Sequence, residues 1–583
     1  MSKKFTADFE TSTWLPDESF VWAWALCEIG NTDNLRIGNT IESFFEVIQK
    51  EVNPIIYFHN LKFDGEFILF YLLKNEYTYT EKLERKSKTF STLISDMGLF
   101  YQIEVYFEVG KKTKKVTFID SLKIINQSVS DIAKTFKLEE QKLEIDYNKP
   151  REKGYILTEE EKDYIKNDVV IVAKALEYLH NIGLTKMTAG SNALYEYKNI
   201  MSVDKFNRIY TKLTYEADKD LRQAYKGGFT YLNPIYENED VGEGEVLDVN
   251  SLYPSVMYDS LLPFGEPFFY EGKYKDDIIY PLYIQRITCS FKIKEGKIPT
   301  IQIKHRQFID NEYLTSSNDE IVALTLTNID LKLFLEQYDV SDLVYISGWK
   351  FKAMHGLFKE YIDKWIEIKN QSTISGNKGM RQIAKIMLNS LYGKFATGLD
   401  VQSKIPYLED DIVRYKLSEK TTKDGVYLPM GAFITAYARE KTIRTSQAIK
   451  TYSLEKYGKD LYCYSDTDSI HTLLPIEELK QFCEIDDVKL GAWKHESHFT
   501  KARFVRQKTY IEEIDGKMNI TCAGLPKRCY DQVEWNNFRV GLRVDGKLSF
   551  KHVKGGVNLV ETEFTIKEDK KLLNSIKNFK NVV

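Results

Sequence analysis

The chain has no run of the roughly 20 apolar residues that a membrane-spanning helix needs, so a helical membrane protein is excluded. Its six cysteines, at 27, 289, 463, 483, 522 and 529, contain no C-x-x-C pair. Zinc ribbons and cysteine-held iron–sulfur clusters are thereby excluded, and reduced cytosolic thiols are expected. Thirteen prolines and 31 glycines in 583 residues leave no low-complexity linker, and no repeat of fixed period recurs; fibrous, disordered and solenoid classes drop out. The opening MSKKFTADFETSTW lacks an apolar h-region, so export is not expected. Neither sign of charge dominates. A formal balance of −4, from 81 Lys+Arg against 85 Asp+Glu, argues by itself against a surface given over to phosphates. What remains is a 43% hydrophobic chain, long enough for roughly four domains packed against one another.

Residues 5–11 alternate Phe5, Ala7 and Phe9 with Thr6, Asp8 and Glu10, which predicts a half-buried strand with both carboxylates on one face. Further strands are expected at 55–59, 100–109 and 116–120, and a helix at 159–182 with an acidic first turn, completing a mixed α/β unit. Carboxylates at i and i+2 suit a hard divalent cation, although D-x-E alone is more often a solvated strand. Company strengthens the reading: Asp64 lies in an apolar-flanked turn, and Asp168 follows Tyr164 by one helical turn. Four carboxylates and a tyrosine of this kind can serve phosphodiester hydrolysis with two metals.

A second set lies further on. Asp248 follows an apolar strand within 246–254, while 461–472 reads as a hairpin with Asp466 and Asp468 at its tip. An ordinary polar turn is the alternative for D-T-D. Between them a helix is expected at 380–392, with Lys378, Arg381 and Lys385 along one face and no acid from 376 to 394. Asn389 and Tyr392 continue that stripe, which suits a nucleotide pocket better than a merely solvated face, and Gly393 permits close backbone approach. Residues 501–510 (KARFVRQKTY) have the composition of a phosphate-tracking strand, and Tyr225-Lys226-Gly227-Gly228 offers bare amides beside a cation.

In this order the motifs resemble those of family B DNA polymerases, specifically the small protein-primed replicases of tailed bacteriophages. D-x-E at 8–10, N-x-x-x-D at 60–64 and Y-x-x-x-D at 164–168 resemble the three motifs of a DnaQ-type 3′–5′ exonuclease. D-x-x-S-L-Y-P at 248–254, K-x-x-x-N-S-L-Y-G at 385–393, Y-x-D-T-D-S at 464–469 and K-T-Y at 508–510 resemble the polymerase and primer-strand motifs. The resemblance implies a multidomain α/β and α+β chain: a DnaQ/RNase H-like exonuclease domain (1–186) followed by a right-hand polymerase domain with two insertions. Its parts would be palm (187–259 and 429–521, with Y-x-G-G at 225–228 as hinge), fingers (359–395), and thumb with tail (522–583). The first insertion (260–358) would contact a terminal protein; the second (396–428) would close a channel for processivity and strand displacement.

Carried over by position, the resemblance implies that Asp248, Asp468 and the Val249 carbonyl hold two catalytic Mg2+ ions, Mn2+ being able to substitute, with Asp466 in support. Lys385, Arg381 and Lys369 would hold the triphosphate, with Asn389 also at the nucleotide. Tyr253 would exclude a ribose 2′-hydroxyl, and Tyr392 would pack on the nascent base pair. Lys508 and Tyr510 would place the primer terminus. In the exonuclease Asp8, Glu10, Asp64 and Asp168 would bind metal, while Tyr164 and Lys142 orient water and phosphate. Thr11, His59, Asn60, Phe63, Ser121, Leu122 and Tyr147 would grip the frayed primer. Tyr225, Gly227, Gly228, Gly393, Lys394, Thr435, Arg439 and Arg506 would contact DNA. Implied partners are template/primer DNA, dNTPs, a terminal protein bound as a heterodimer before initiation, and single- and double-strand DNA-binding phage proteins, all in the host bacterial cytoplasm. One departure stands out: the segment from Lys508 to Cys522 is shorter than the family pattern. A nuclease that uses the remainder only to grip DNA, or a replication scaffold with decayed sites, would leave the Asp248, Asp468 and Lys385 set or the intact carboxylates unexplained.

Overall fold

A computed structural model describes residues 2–81, 86–109, 112–147, 149–303 and 312–567. The alternation at 5–11 becomes the strand Lys4–Thr11, near the centre of an eight-stranded sheet. It pairs antiparallel with Val21–Glu28 and parallel with Ile55–Phe58, which in turn runs parallel to Lys112–Asp120. Phe5, Ala7 and Phe9 face an aromatic core with Phe44, Phe58 and Phe118. The opposite face is covered rather than wet. Helix Glu159–Asn181 lies across it, Tyr164, Ile165 and Val169 packing on Trp22, Ala23 and Ala25, and Thr6 Oγ1 donates to the Val169 carbonyl at 2.8 Å. The half-buried expectation is thus corrected, and the helix is what brings Asp168 to Asp8 and Glu10. Its start is fixed by a capping box between Thr158 and Glu161 and by three glutamates in its first turn.

Asp248 belongs to a second sheet of five antiparallel strands, ordered Trp493–Phe499, Gly244–Val249, Ser469–Thr472, Tyr462–Asp466 and Thr230–Leu232. The helix Leu428–Tyr457 packs against it. Residues 262–354 add a four-stranded sheet around the long strand Tyr338–Met354. Helices Lys359–Ile374 and Lys378–Ser390 pack on each other through a turn at Gly376, whose φ of +66° favours glycine. The helix expected at 380–392 therefore begins earlier, where Asn377 caps it, and Tyr392 falls in the separate turn Tyr392–Phe395. The short segment after Lys508 is explained by a hairpin, Thr509–Ile514 with Lys517–Cys522, tightened by Gly516 at φ +69°. A further hairpin, Arg543–Val553 with Gly556–Thr565, follows; the tail from 568 onward lies outside the described residues.

Candidate active sites

Asp8, Glu10 and Asp168 place ligand oxygens within 4.8 Å of one another, the one such acidic group among the described residues. Asp64, in the first turn of helix Leu61–Lys74, is tied in when its Oδ1 accepts from the Phe9 amide at 3.1 Å. Burial and the neighbouring Asp168 push the Asp8 carboxyl up to about 7, with Lys142 opposing. Burial, then Asp8, raise Glu10 and Asp64 well above the usual carboxylate range. Asp168 Oδ1 is buried without a hydrogen-bond partner, while Lys142 Nζ donates to its other oxygen. Closely spaced hard oxygens with an unclaimed lone pair fit a divalent cation.

These raised carboxyls carry a pH prediction. Their ionisation opposes folding, so the stability they allow is complete below about pH 4 and is lost as pH rises through about 7. In chelator-treated protein, Asp8→Asn is expected to be about 1–3 kcal/mol more stable than the parent at pH 8 and equal to it near pH 4. Calorimetry at both pH values checks this; a variant less stable at pH 8 would contradict it.

Around the cluster, Tyr147 and Tyr164 hydroxyls lie 2.6 Å apart, and Lys142 sits 5.3 Å over the Tyr164 ring. Thr11 is buried at the end of its strand. Asn60, at φ +84°, donates its amide to Asp120, and Phe63 stands one turn along the same helix. His59 is held between Ser121 Oγ (3.0 Å) and the Gln127 carbonyl (2.7 Å), and Ser121 donates to the Phe58 carbonyl. His59 and Ser121, expected as primer grips, bond to each other and to backbone, as polar groups in a buried setting must find partners. Asp120 is the residue that sequence reasoning missed. Fully buried at the end of its strand, it accepts from the Asn60 and Leu122 amides, an acid ending an apolar strand just as Asp248 does.

In the second sheet, Asp248 and Asp468 are drawn together because the Val249 amide donates to the Asp468 carbonyl at 2.7 Å. The tip works because Thr467 adopts φ +64°, its amide donating to the Phe229 carbonyl and its carbonyl accepting from Thr442 Oγ1, both at 2.7 Å. Gly228 lets this turn approach, since a Cβ there would meet Thr467 Oγ1 at 2.6 Å. Burial, then Asp468 and Glu496, push Asp248 up to about 7, while Lys494 and Lys385 oppose. Asp468 is raised too, by burial and Asp466, with Lys508 and Lys385 opposing. Asp466 accepts from Lys508 Nζ at 2.6 Å and Thr230 Oγ1 at 3.1 Å, which gives it a supporting rather than a ligating position. Lys369, on the neighbouring helix, is lowered by burial and then by Arg381 and Lys385, so the three cations lie near one another, and Lys385 acts on both carboxylates. The Tyr253 and Tyr392 rings stack at 4.1 Å. Lys508 has φ +56°; its amide donates to Tyr464 OH, and Tyr510 packs on that same ring. Glu496 and Lys494, ion-paired at 2.7 Å on the edge strand beside Asp248, were missed; alternation along 493–499 puts both on one face.

Several residues expected to contact DNA make bonds within the protein. Thr435 is buried, its hydroxyl donating to the Gly431 carbonyl of its own helix. Buried Arg439 grips Asp330 through two nitrogens and donates to the Lys226 and Gly227 carbonyls, so it holds the Y-x-G-G loop rather than facing a groove. Lys394 lies partly buried against Gly190. The strand Lys501–Arg506 is not free to track phosphates: Lys501 pairs with Glu513 and Arg503 with Asp240. Gly393 is exposed, with space beside its backbone.

Residues 46–154 and 143–482 match the family described as DNA polymerase type B, organellar and viral. The chain belongs to the type B DNA polymerases. The polymerase is 46% identical to the DNA polymerase of Bacillus phage Nf, over 97% of this chain and all of that one. To the DNA polymerases of Bacillus phage phi29 and Streptococcus phage Cp-1 it is 45% and 33% identical, again over 97% of this chain and 99% of theirs. Its fold matches Phi29 DNA polymerase complexed with primer-template DNA and incoming nucleotide, with a TM-score of 0.90, 44% identity, and coverage of 97% of this chain and all of that one. The polymerase therefore has an exonuclease and a polymerase domain of that architecture. No helix among the described residues is long and apolar enough to cross a membrane.

Proposed function

We propose that this polymerase copies a linear phage genome in the host bacterial cytoplasm, starting on a hydroxyl of a terminal protein and removing misinserted nucleotides from the 3′ end. Lys385 acting on both Asp248 and Asp468, with Lys369 and Arg381 gathered beside it, is the observation that carries the synthetic half. A dNTP brings its negative triphosphate to three cations while its sugar meets the stacked Tyr253 and Tyr392. Tyr253 then stands where a 2′-hydroxyl would have to fit. Lys508, fixed through its amide and through Asp466, sets the primer terminus against the same pair. Asp248, Asp468 and the Val249 carbonyl would hold Mg2+, with Mn2+ able to replace it, and Asp8, Glu10, Asp64 and Asp168 would hold a second set. Bound there, such cations lower the pKa of the attacking oxygen and neutralise the leaving one. On the exonuclease side Lys142, held on Asp168, and Tyr164, whose hydroxyl meets that of Tyr147, would orient water and the scissile phosphate.

Substrates would be primer-template DNA and dNTPs, and the partners a terminal protein joined as a heterodimer before initiation, with single- and double-strand DNA-binding phage proteins at the fork. The test incubates the polymerase with the small protein encoded beside it, labelled dNTP and Mg2+. A nucleotide bound covalently to a hydroxyl side chain of that protein is the expected product. Extension of primed DNA without any such adduct would overturn protein priming and leave templated synthesis standing.

A further inference from the structure

Glu66 lies two residues past Asp64 on helix Leu61–Lys74 and is only 3% exposed, yet among the described residues no lysine or arginine pairs with it. Its two oxygens are taken by groups from two other parts of the chain. Tyr415 OH donates to Oε2 at 2.7 Å, and His552 Nε2–H donates to Oε1 at 3.1 Å. Tyr415 comes from the hairpin Lys404–Glu409/Ile412–Leu417, and His552 from the C-terminal hairpin Arg543–Val553/Gly556–Thr565. Their rings also meet, 6.0 Å apart and edge to face.

Lesser contacts follow the same seam. Lys74 Nζ pairs with Asp411 at 2.6 Å, and the Gly555 amide donates to the Asp411 carbonyl at 3.2 Å. The C-terminal hairpin seats its turn on the first domain: the Ser19 amide donates to the Lys554 carbonyl at 2.8 Å, and Phe550 meets Phe63 at 6.2 Å. Gly555, at φ +86°, allows this, since a Cβ there would lie 2.2 Å from the Ser19 carbonyl oxygen. Val413 and Val557 are buried in the first domain's own core.

The topology gives this junction its meaning. The three segments lie at widely separated points in the chain: before Thr230, between Tyr392–Phe395 and Leu428–Tyr457, and after Lys517–Cys522. They meet at Glu66, where the exonuclease helix and the two hairpins contact one another, so that with the intervening chain they make a closed circuit. A buried carboxyl is costly to desolvate, and here hydrogen bonds from the other two arms offset that cost. When the arms part, water takes those bonds back, so the junction is releasable in a way that an apolar seam alone is not.

We propose that Glu66, with Tyr415 and His552, is the latch that holds this circuit shut around DNA, a positioning group for sustained synthesis rather than a catalytic residue. The inference rests on the reading of the second insertion as closing a channel, and its test separates the two. The variants are Tyr415→Phe, which removes one hydroxyl and leaves the ring packing, and Tyr415→Phe/His552→Leu, both compared with the parent in the full-length polymerase. Amide hydrogen exchange at 404–417 and 543–565 is expected to quicken about tenfold in the double variant, the scale of hydrogen bonds lost to a charged acceptor. Product length per binding event, read on a primed single-stranded circle with a DNA trap, is expected to fall about three- to tenfold through faster release. Single-nucleotide insertion and single-strand digestion should stay within about twofold. Unchanged exchange in both hairpins would overturn the latch itself. Faster exchange with unchanged product length would overturn its role in retaining DNA, and with it the channel reading.

Discussion

Replacing Asp468 by alanine is expected to reduce nucleotide insertion by about 10⁴-fold or more while leaving digestion of single-stranded DNA within about twofold. By the usual conversion of about 1.4 kcal/mol per decade, that loss is roughly 5 kcal/mol of transition-state stabilisation. The size follows from position. Lys385 acts on both Asp468 and Asp248, Asp468 also feeling the primer-side Lys508, and the Asp468 charge helps to raise the Asp248 carboxyl. Losing one removes half of the negative charge that a cation there would need. The fold should survive, because the turn is held by backbone: the Asp468 carbonyl accepts from Val249, the Asp468 amide donates to the Asp466 carbonyl at 2.7 Å, and Thr467 keeps its left-handed conformation. Primer extension at saturating dNTP and digestion of a 3′-labelled oligonucleotide read the two activities. Loss of both in a variant with the parent's thermal transition would sink the two-site reading.

The reverse separation is expected of Asp8→Ala: digestion falls by about 10³-fold or more, and insertion on a matched primer is unchanged within about twofold. Asp8 is one of three acids whose oxygens lie within 4.8 Å, and its charge is a cause of the raised Glu10 and Asp64 carboxyls. Its removal takes away a ligand but also a repulsion, so the metal-free variant should be no less stable than the parent. A further readout distinguishes lost proofreading from a damaged polymerase: extension from a 3′ mismatch should copy the mismatch into product, where the parent excises it first. Equal excision by parent and variant would show that Asp8 lies outside the hydrolytic site.

Much of both sites was legible because each rests on local grammar. Alternation at 5–11 put Asp8 and Glu10 on one face, one helical turn put Asp168 under Tyr164, and a polar tip between apolar runs marked Asp466 and Asp468. Less legible were residues whose role depends on what a distant segment brings. Arg439 and Thr435 looked available from their motif, yet lie inside the protein, because Asp330 and the Lys226–Gly227 carbonyls occupy the one and a helix carbonyl the other. Asp120, Glu496 and Glu66 drew no notice, since a single acid among 85 has no local signature of burial or of partners.

The sequence by itself determined the element types, the order of the motifs and the chemistry of the ligands, since periodicity, caps and hard oxygen donors are properties of near neighbours. Tertiary structure alone decided the charge map. The acid-free stretch 501–508, a bare basic strand in one dimension, is met in three by Asp240, Glu513 and Asp466, whereas Lys369, Arg381 and Lys385 stay gathered, with Lys385 acting on the Asp248–Asp468 pair. Tertiary structure also decided that Glu66 should meet Tyr415 and His552 across the chain. A Coulomb interaction depends on distance through space, and only the folded backbone sets which charges come within a few ångströms.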